Sequence, residues 1–221
     1  MSDRTERVAI VVGAGPGVSG SFARLLADDG WDLGLVGADQ GVLDELSADL
    51  EGRGATVGTS LADVTDTEAA TAALTRMADH TGRVDLLHFN PSAFREKDPL
   101  ELTVAELLQD VALGVGALLT AVQAVRPYMS AGARVTVTGS MAADEPWNKA
   151  ASLGVQKAGV RNLVHSLDTT LREDGIRAVS VTVRGTLGKE GPFTPDRVGQ
   201  ALFAALQQDE SSWRSEVPYT G

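Results

Sequence analysis

A chain of 221 residues, 43% hydrophobic and 22% charged, is long enough to bury a full core in one domain without covalent staples. It has no cysteine, which excludes disulfides, thiolate metal sites, C-x-x-C redox chemistry and a thiol nucleophile, and its histidines (His80, His88, His165) lie too far apart for a metal motif of the H-E-x-x-H type. The net charge of −11 repels phosphate backbones and anionic lipid, so no nucleic-acid partner and no membrane partner is expected.

The chain opens Ser2-Asp3-Arg4-Thr5-Glu6-Arg7, and the apolar run behind it, 8–12, is too short for the core of an export signal. The longest apolar stretch, 111–125, is broken by Thr120 and Gln123. It falls short of the roughly 20 residues that span a bilayer and reads as a buried helix. A cytoplasmic location follows as the expectation. Short apolar runs at 8–12, 33–36, 56–59, 84–89, 134–138 and 178–183 read as strands, several of them apolar throughout, as in a parallel sheet covered on both faces. Between them lie helical patterns at about 17–29, 40–51, 66–80, 102–130, 150–173 and 195–208. Thr65-Asp66-Thr67-Glu68 has the spacing of a capping box, Thr194-Pro195 puts proline at a first helical position, and Gly175 stands where the fifth helix should stop. No linker or repeat interrupts the alternation. The expectation is a single α/β domain over 1–221, doubly wound, with helices on both faces of a parallel sheet of six to seven strands.

The first strand runs into Gly13-Ala14-Gly15-Pro16-Gly17-Val18-Ser19-Gly20 and then a helix. Glycines there allow a tight turn and a close backbone approach to a pyrophosphate, which the helix N-terminus favours electrostatically. The position of this motif, after the first strand of a βαβ series, gives it weight that the bare pattern lacks. The plainer alternative is a glycine-rich turn that binds nothing.

From this loop onward the chain resembles the short-chain dehydrogenase/reductase family. Its loop reads G-x-x-x-G-x-G; Gly13 and Gly17 match, and the third glycine is Ser19. Asp63-Val64 resembles the family pair that reads adenine. Asn90-Pro91-Ser92 stands where the family has N-A-G, Ser140 where it has its catalytic serine, and Lys157, 17 residues on, at the spacing of its lysine. Arg184-Gly185-Thr186 replaces the family's P-G turn. The resemblance implies a Rossmann-like domain that binds NAD(P) through Gly13, Gly15, Gly17, Ser19, Asp39, Asp63, Val64, Asn90, Pro91, Lys157 and Gly185, with Ser140 and Lys157 as catalytic residues. It also implies a homodimer or homotetramer paired through the 102–130 and 150–173 helices. Each residue has a plainer reading as well: Asp63 a helix cap, Asn90-Pro91 a strand-ending turn, Ser140 a turn hydroxyl, Lys157 a solvated charge.

The catalytic pattern is incomplete. The family tyrosine sits four residues before the lysine, on the same helix face, and here that residue is Leu153, which has no titratable proton. Tyr128 and Tyr219, the two tyrosines present, belong to other parts of the chain. The family's asparagine in the fourth helix falls at Ala112, Leu113 or Gly114. Asp144, Glu145, Lys149 and His88 are weak candidates for a substitute acid, and Trp147 for a cover over substrate. At the end of the second strand, Gly37-Ala38 offers neither the acid that selects NAD nor the arginine that selects NADP, so the two forms stay open. Thr194 follows Gly185 by only nine positions, which leaves little room for a substrate lid. The function expected is an NAD(P)-binding oxidoreductase acting on a small carbonyl or alcohol with a degenerate site. A non-catalytic cofactor-binding sensor or partner subunit, or a lyase or isomerase without hydride transfer, stands beside it.

Overall fold

The computed structural model describes residues 7–221; the polar opening at Ser2–Glu6, on which the expectation of no export signal rests, lies outside the described residues. In chain order the elements are β1 (Arg7–Val12), α1 (Val18–Asp28), β2 (Trp31–Gly37), α2 (Gln40–Gly52), β3 (Val57–Leu61), α3 (Thr67–Thr81), β4 (Leu86–Phe89), α4 (Val104–Val111), a π-helical turn (Ala112–Gly116), α5 (Ala117–Val125), β5 (Arg134–Ser140), α6 (Ala151–Leu171), β6 (Arg177–Val183), α7 (Pro195–Leu206) and β7 (Glu216–Tyr219). All strands pair in parallel in the order β3-β2-β1-β4-β5-β6-β7. The chain winds outward from β1 to β3 and then returns to β4 on the other side of β1. That reversal opens a crevice at the C-terminal ends of β1 and β4.

Alternation along β1 explains the two-layer core. Ile10 and Val12 join the cluster under α3, α5 and α6, while Ala9 and Val11 join the one under α1, α2 and α7. Every residue of β6 is buried, as expected of a strand covered on both faces. Helix α7 lies against α1 because Gly199 has no side chain: a Cβ there would come within 3.1 Å of the Phe22 backbone nitrogen. Ser21 Oγ donates to Asp196 across the same contact at 2.6 Å.

Several boundaries move for physical reasons. The N-cap of α3 is Asp66 rather than Thr65: its carboxylate accepts the N–H groups of Glu68 and Ala69, and Thr65 is drawn instead to Asp63. The pattern at 102–130 is not one regular helix, since the π turn separates α4 from α5 where α6 presses closest. A Cβ on Gly114 would meet Gln156 Oε1 at 2.5 Å. Thr103 and Glu106 close a capping box at the start of α4 that the sequence reading passed over. By length and composition the continuous Val104–Tyr128 helix could cross a membrane, but Leu118, Val122 and Val125 are built into the core. Thr194 caps α7, Pro195 begins it, and Gly175 turns at φ 72° after α6 and a short 3₁₀ turn. Strand β7, at the sheet edge, had no separate pattern in the sequence.

The C-terminal end of α6 is tied to β6 by a buried ion pair. Arg177 gives two hydrogen bonds to Asp168, at 2.9 and 2.8 Å, and the Ala178 N–H adds a third at 2.9 Å. Removing the guanidinium strands a buried carboxylate, so Arg177→Met should cost about 3–5 kcal/mol. Arg177→Met/Asp168→Leu should recover much of that loss. Urea unfolding, read as a shift in midpoint at constant slope, checks both.

Candidate functional site

The crevice is lined first by the glycine loop. Gly13 adopts φ +76°, and its N–H and that of Ala14 both donate to the Val36 carbonyl, at 2.9 and 3.0 Å. A Cβ on Gly13 would also strike the Pro91 ring at 2.8 Å, so glycine is demanded twice, by conformation and by space. A Cβ on Gly15 or Gly17 would meet nothing within 4 Å, which leaves an open backbone surface over the start of α1. Gly17 heads that helix without a side-chain cap. Ser19 takes the third glycine position. Its buried hydroxyl accepts the Gly15 N–H at 3.1 Å and donates to the Gly13 carbonyl at 3.0 Å, pinning the turn from within.

Two carboxylates follow the second and third strands. Asp39 is the N-cap of α2 and accepts the Val42 N–H at 3.0 Å. Asp63 accepts both the N–H and the hydroxyl of Thr65 through one oxygen, Oδ1, and these bonds hold its carboxyl below the usual range. The cap reading of Asp63 is therefore partly right, and Oδ2 makes no hydrogen bond among the described residues. Val64 beside it is buried. Asn90 follows β4 with its N–H on the Val12 carbonyl and its side-chain amide 3.5 Å from the Gly13 carbonyl.

At the far end of the crevice stand β5 and α6. Ser140 closes β5, and its hydroxyl accepts the Ala142 N–H at 3.2 Å, so the turn reading is right while its own proton stays available. Lys157 is not a solvated charge. It is 6% exposed, its Nζ donates to the Thr138 carbonyl at 2.9 Å, and burial lowers its pKa to about 8. Leu153 sits one turn before it on α6, partly buried.

The proposed substitute acids fare poorly. Asp144 is gripped by Arg161 and Arg184, which hold its pKa down and keep it ionised. Glu145 and Lys149 are exposed. His88 is fully buried against Phe22 and Thr136, and burial lowers its pKa to about 3, so it stays neutral. Tyr128 bonds Asp79, and Tyr219 donates to the Pro192 carbonyl at 2.6 Å. Trp147 is half exposed and tilts against Phe94 at 6.2 Å, beside an apolar groove of about 510 Å³. A larger hollow of about 680 Å³ lies at the opposite, N-terminal ends of β2 and β3. The short segment after β6 is anchored at its two ends, where a Cβ on Gly185 would collide with the Phe193 ring at 2.3 Å and Phe193 packs edge-on to Tyr219, while 186–192 between them are exposed.

Sequence reasoning missed the polar frame behind the crevice. Asp110, 3% exposed, receives two hydrogen bonds from Arg95 and one from Ser152. Gln156 clamps Ala93 through both its N–H and its carbonyl, at 2.9 and 3.2 Å. Polar residues inside α6, next to Lys157, were the available signal. Taken together, the loop, the two carboxylates and the Ser140–Lys157 pair fit a nicotinamide dinucleotide. The open cradle at Gly15 and Gly17 would take the pyrophosphate, Asp63 the adenine, and Lys157 the ribose near the nicotinamide.

Comparison with known proteins agrees with this geometry. The family described as short chain dehydrogenase matches residues 7–188. The chain is 32% identical to a cis-4-hydroxycyclohexanecarboxylate dehydrogenase of Sinomonas cyclohexanicum, over 94% of this chain and 92% of that one. It is 28% identical to a sulfoacetaldehyde reductase of Chromohalobacter salexigens, over 95% and 84%. Among solved structures, a metagenomic short-chain oxidoreductase in complex with NADP superposes with a TM-score of 0.87 at 23% identity, covering 100% of both chains.

Two measurements test the site itself. Gly13→Ala should lower the melting temperature and weaken dinucleotide binding at least tenfold, because a Cβ there meets both a left-handed φ and the Pro91 ring. Lys157 is charged more easily unfolded than folded, so stability should rise with pH between about 8 and 10.5 as the native ammonium loses its proton first. Denaturation across that range should show the positive slope in wild type and a smaller one in Lys157→Met.

Proposed function

The chain belongs to the short-chain dehydrogenase family, and on that premise we propose that it is an NAD(P)-binding oxidoreductase acting on a small carbonyl or alcohol. The observation that carries this reading is Lys157: a buried ammonium held on the Thr138 carbonyl, at the end of β5 where Ser140 stands, across the crevice from the glycine loop. A core lysine with no such task would be costly, because its charge is taken from water with no carboxylate to offset the loss. The relatives named as a hydroxycarboxylate dehydrogenase and an aldehyde reductase support an alcohol or carbonyl substrate. Bound at this edge, the nicotinamide would supply or accept the hydride. Ser140 orients the substrate oxygen, Lys157 fixes the ribose, and the Phe94–Trp147 pair borders the substrate side. The lack of cysteine fits a cytoplasmic protein.

Leu153 supports a second reading, in which the protein binds the cofactor without turnover, as a sensor or partner subunit, since leucine carries no proton to give. Calorimetric titration with NADH and NADPH, followed by turnover on a panel of small carbonyls, separates the two readings and chooses the cofactor form. No binding of either at millimolar concentration removes both.

The reading also makes two predictions about particular residues. Leu153→Tyr should raise single-turnover NAD(P)H oxidation by reactive carbonyls at least about tenfold, a fraction of the usual general-acid effect, and Lys157→Ala should erase the gain. We further propose a homodimer or tetramer built on α4–α6, whose outer faces expose Val104 (73%), Leu108 (62%) and Val155 (49%). Light scattering should give at least twice the 23.0 kDa chain mass, and Leu108→Glu/Val155→Glu should halve it.

A further inference from the structure

With Leu153 one turn before Lys157, no phenol helps the Ser140 hydroxyl to hold a substrate oxygen at this edge, so the aim of that hydroxyl carries more weight. We propose that Asp144 is a positioning residue for Ser140: gripped by Arg161 and Arg184, it fixes the turn after β5 and with it the direction of the Ser140 proton. The proposal rests on the oxidoreductase reading above.

Ser140 needs such support because it stands where the sheet stops. It is the last residue of β5 and pairs with Val183, the last of β6. Beyond that pair the two chains part, one toward α6 and the other toward α7. A strand end with no further ladder bond is where local opening begins. The Ser140 hydroxyl is itself tied into the turn that follows, since it accepts the Ala142 N–H at 3.2 Å. Any shift of the 3₁₀ turn Met141–Ala143 therefore moves the proton that Ser140 has left to give.

Asp144 closes the other end of that turn. Its N–H and that of Glu145 both donate to the Met141 carbonyl, at 2.9 Å. Its carboxylate oxygens divide between two arginines: Oδ1 takes Arg161 of α6, one turn beyond Lys157, and Oδ2 takes Arg184 at 2.9 Å. Arg184 directly follows Val183, and its own N–H is fixed on the Tyr219 carbonyl of β7 at 2.9 Å. Among the described residues, the Asp144–Arg184 pair is the only hydrogen bond or ion pair joining 141–150 to 184–194. Helix α6 also comes down onto the turn, because Gly154 has no side chain: a Cβ there would lie 3.0 Å from the Ala142 carbonyl oxygen.

The three side chains are 25%, 32% and 35% exposed, and ion pairs that solvated add little to global stability. Their effect is geometric. One carboxylate joins the turn after β5, the helix that carries Lys157 and the end of β6, at the point where the ladder no longer does. The guanidinium groups hold its carboxyl below the usual range, so the grip persists at neutral pH. Arg184 stands where the family's turn has proline, so this support comes from the chain's own departure from that pattern.

The test separates position from stability. Asp144→Asn, which keeps the shape and loses the charge, should retain the wild-type urea midpoint and bind NADH or NADPH within about threefold of wild type. Its kcat for a carbonyl that wild type reduces should fall at least about tenfold, with KM within about threefold. Hydrogen–deuterium exchange without substrate, read by mass spectrometry, should quicken at least about tenfold at 141–145 and stay unchanged elsewhere in the sheet. Arg184→Met should do the same, the double variant should be no slower than the worse single one, and Arg184→Lys, which keeps the single contact, should stay within about threefold of wild type. Should Asp144→Asn not fold, the two Arg184 variants decide alone. Unchanged kcat or unchanged exchange at 141–145, losses that multiply in the double variant, or a loss that only follows a fall in the urea midpoint overturns the proposal and leaves the oxidoreductase reading intact. Wild type that binds a dinucleotide yet reduces no carbonyl overturns both.

Discussion

A single carbonyl, that of Val36, accepts hydrogen bonds from both Gly13 and Ala14, and the rest of the crevice is built on that double contact. It binds the end of β1 to the end of β2 while the chain turns left-handed at Gly13. The turn brings the backbone under Pro91, so β4 is registered against the same point from the other side. Three strand ends therefore meet at one residue that can have no side chain. The glycine loop and the Asn90 turn inherit their positions from it. Ser19 completes the lock internally, using a hydroxyl where the family pattern uses the absence of one.

A second frame fixes the opposite wall. Asp110 of α4 and Gln156 of α6 are buried polar groups whose partners come from the stretch after β4 and the start of α6, so three segments are joined. Buried polar networks of this kind stabilise one arrangement of the chain because any other leaves a group without a partner. The π turn at Ala112–Gly116 is part of the same arrangement, since Gly114 yields the space that Gln156 fills.

The parallel sheet, its helices and the order of the glycine loop, Asp63, Asn90, Ser140 and Lys157 were legible in the sequence because each depends on local pattern or spacing. What escaped depends on contacts between distant segments. Nothing near Lys157 in sequence says that its ammonium will lie on the Thr138 carbonyl, so solvation and burial read alike at that stage. Asp144 looked like a free acid because the arginines that engage it come from α6 and from the end of β6. Thr65 and Asp66 both suit an N-cap, and Asp63 decided between them by taking the threonine hydroxyl. Strand β7 is short and half exposed, with a proline in its middle, and it becomes a strand only because β6 offers it a partner.

The brief connection between β6 and α7 bears on how the protein treats what it binds. Phe193 packs on Tyr219, the Tyr219 hydroxyl donates to the Pro192 carbonyl, and the Gly188 N–H donates to the Phe193 carbonyl, so the segment folds back on itself beside β7. A connection this brief offers little to close over a ligand at that end of the crevice, which would be held by its own contacts. Were hydride transferred at this edge, dissociation would compete with bond making, and a deuterium label on the transferred hydrogen would be felt strongly at steady state.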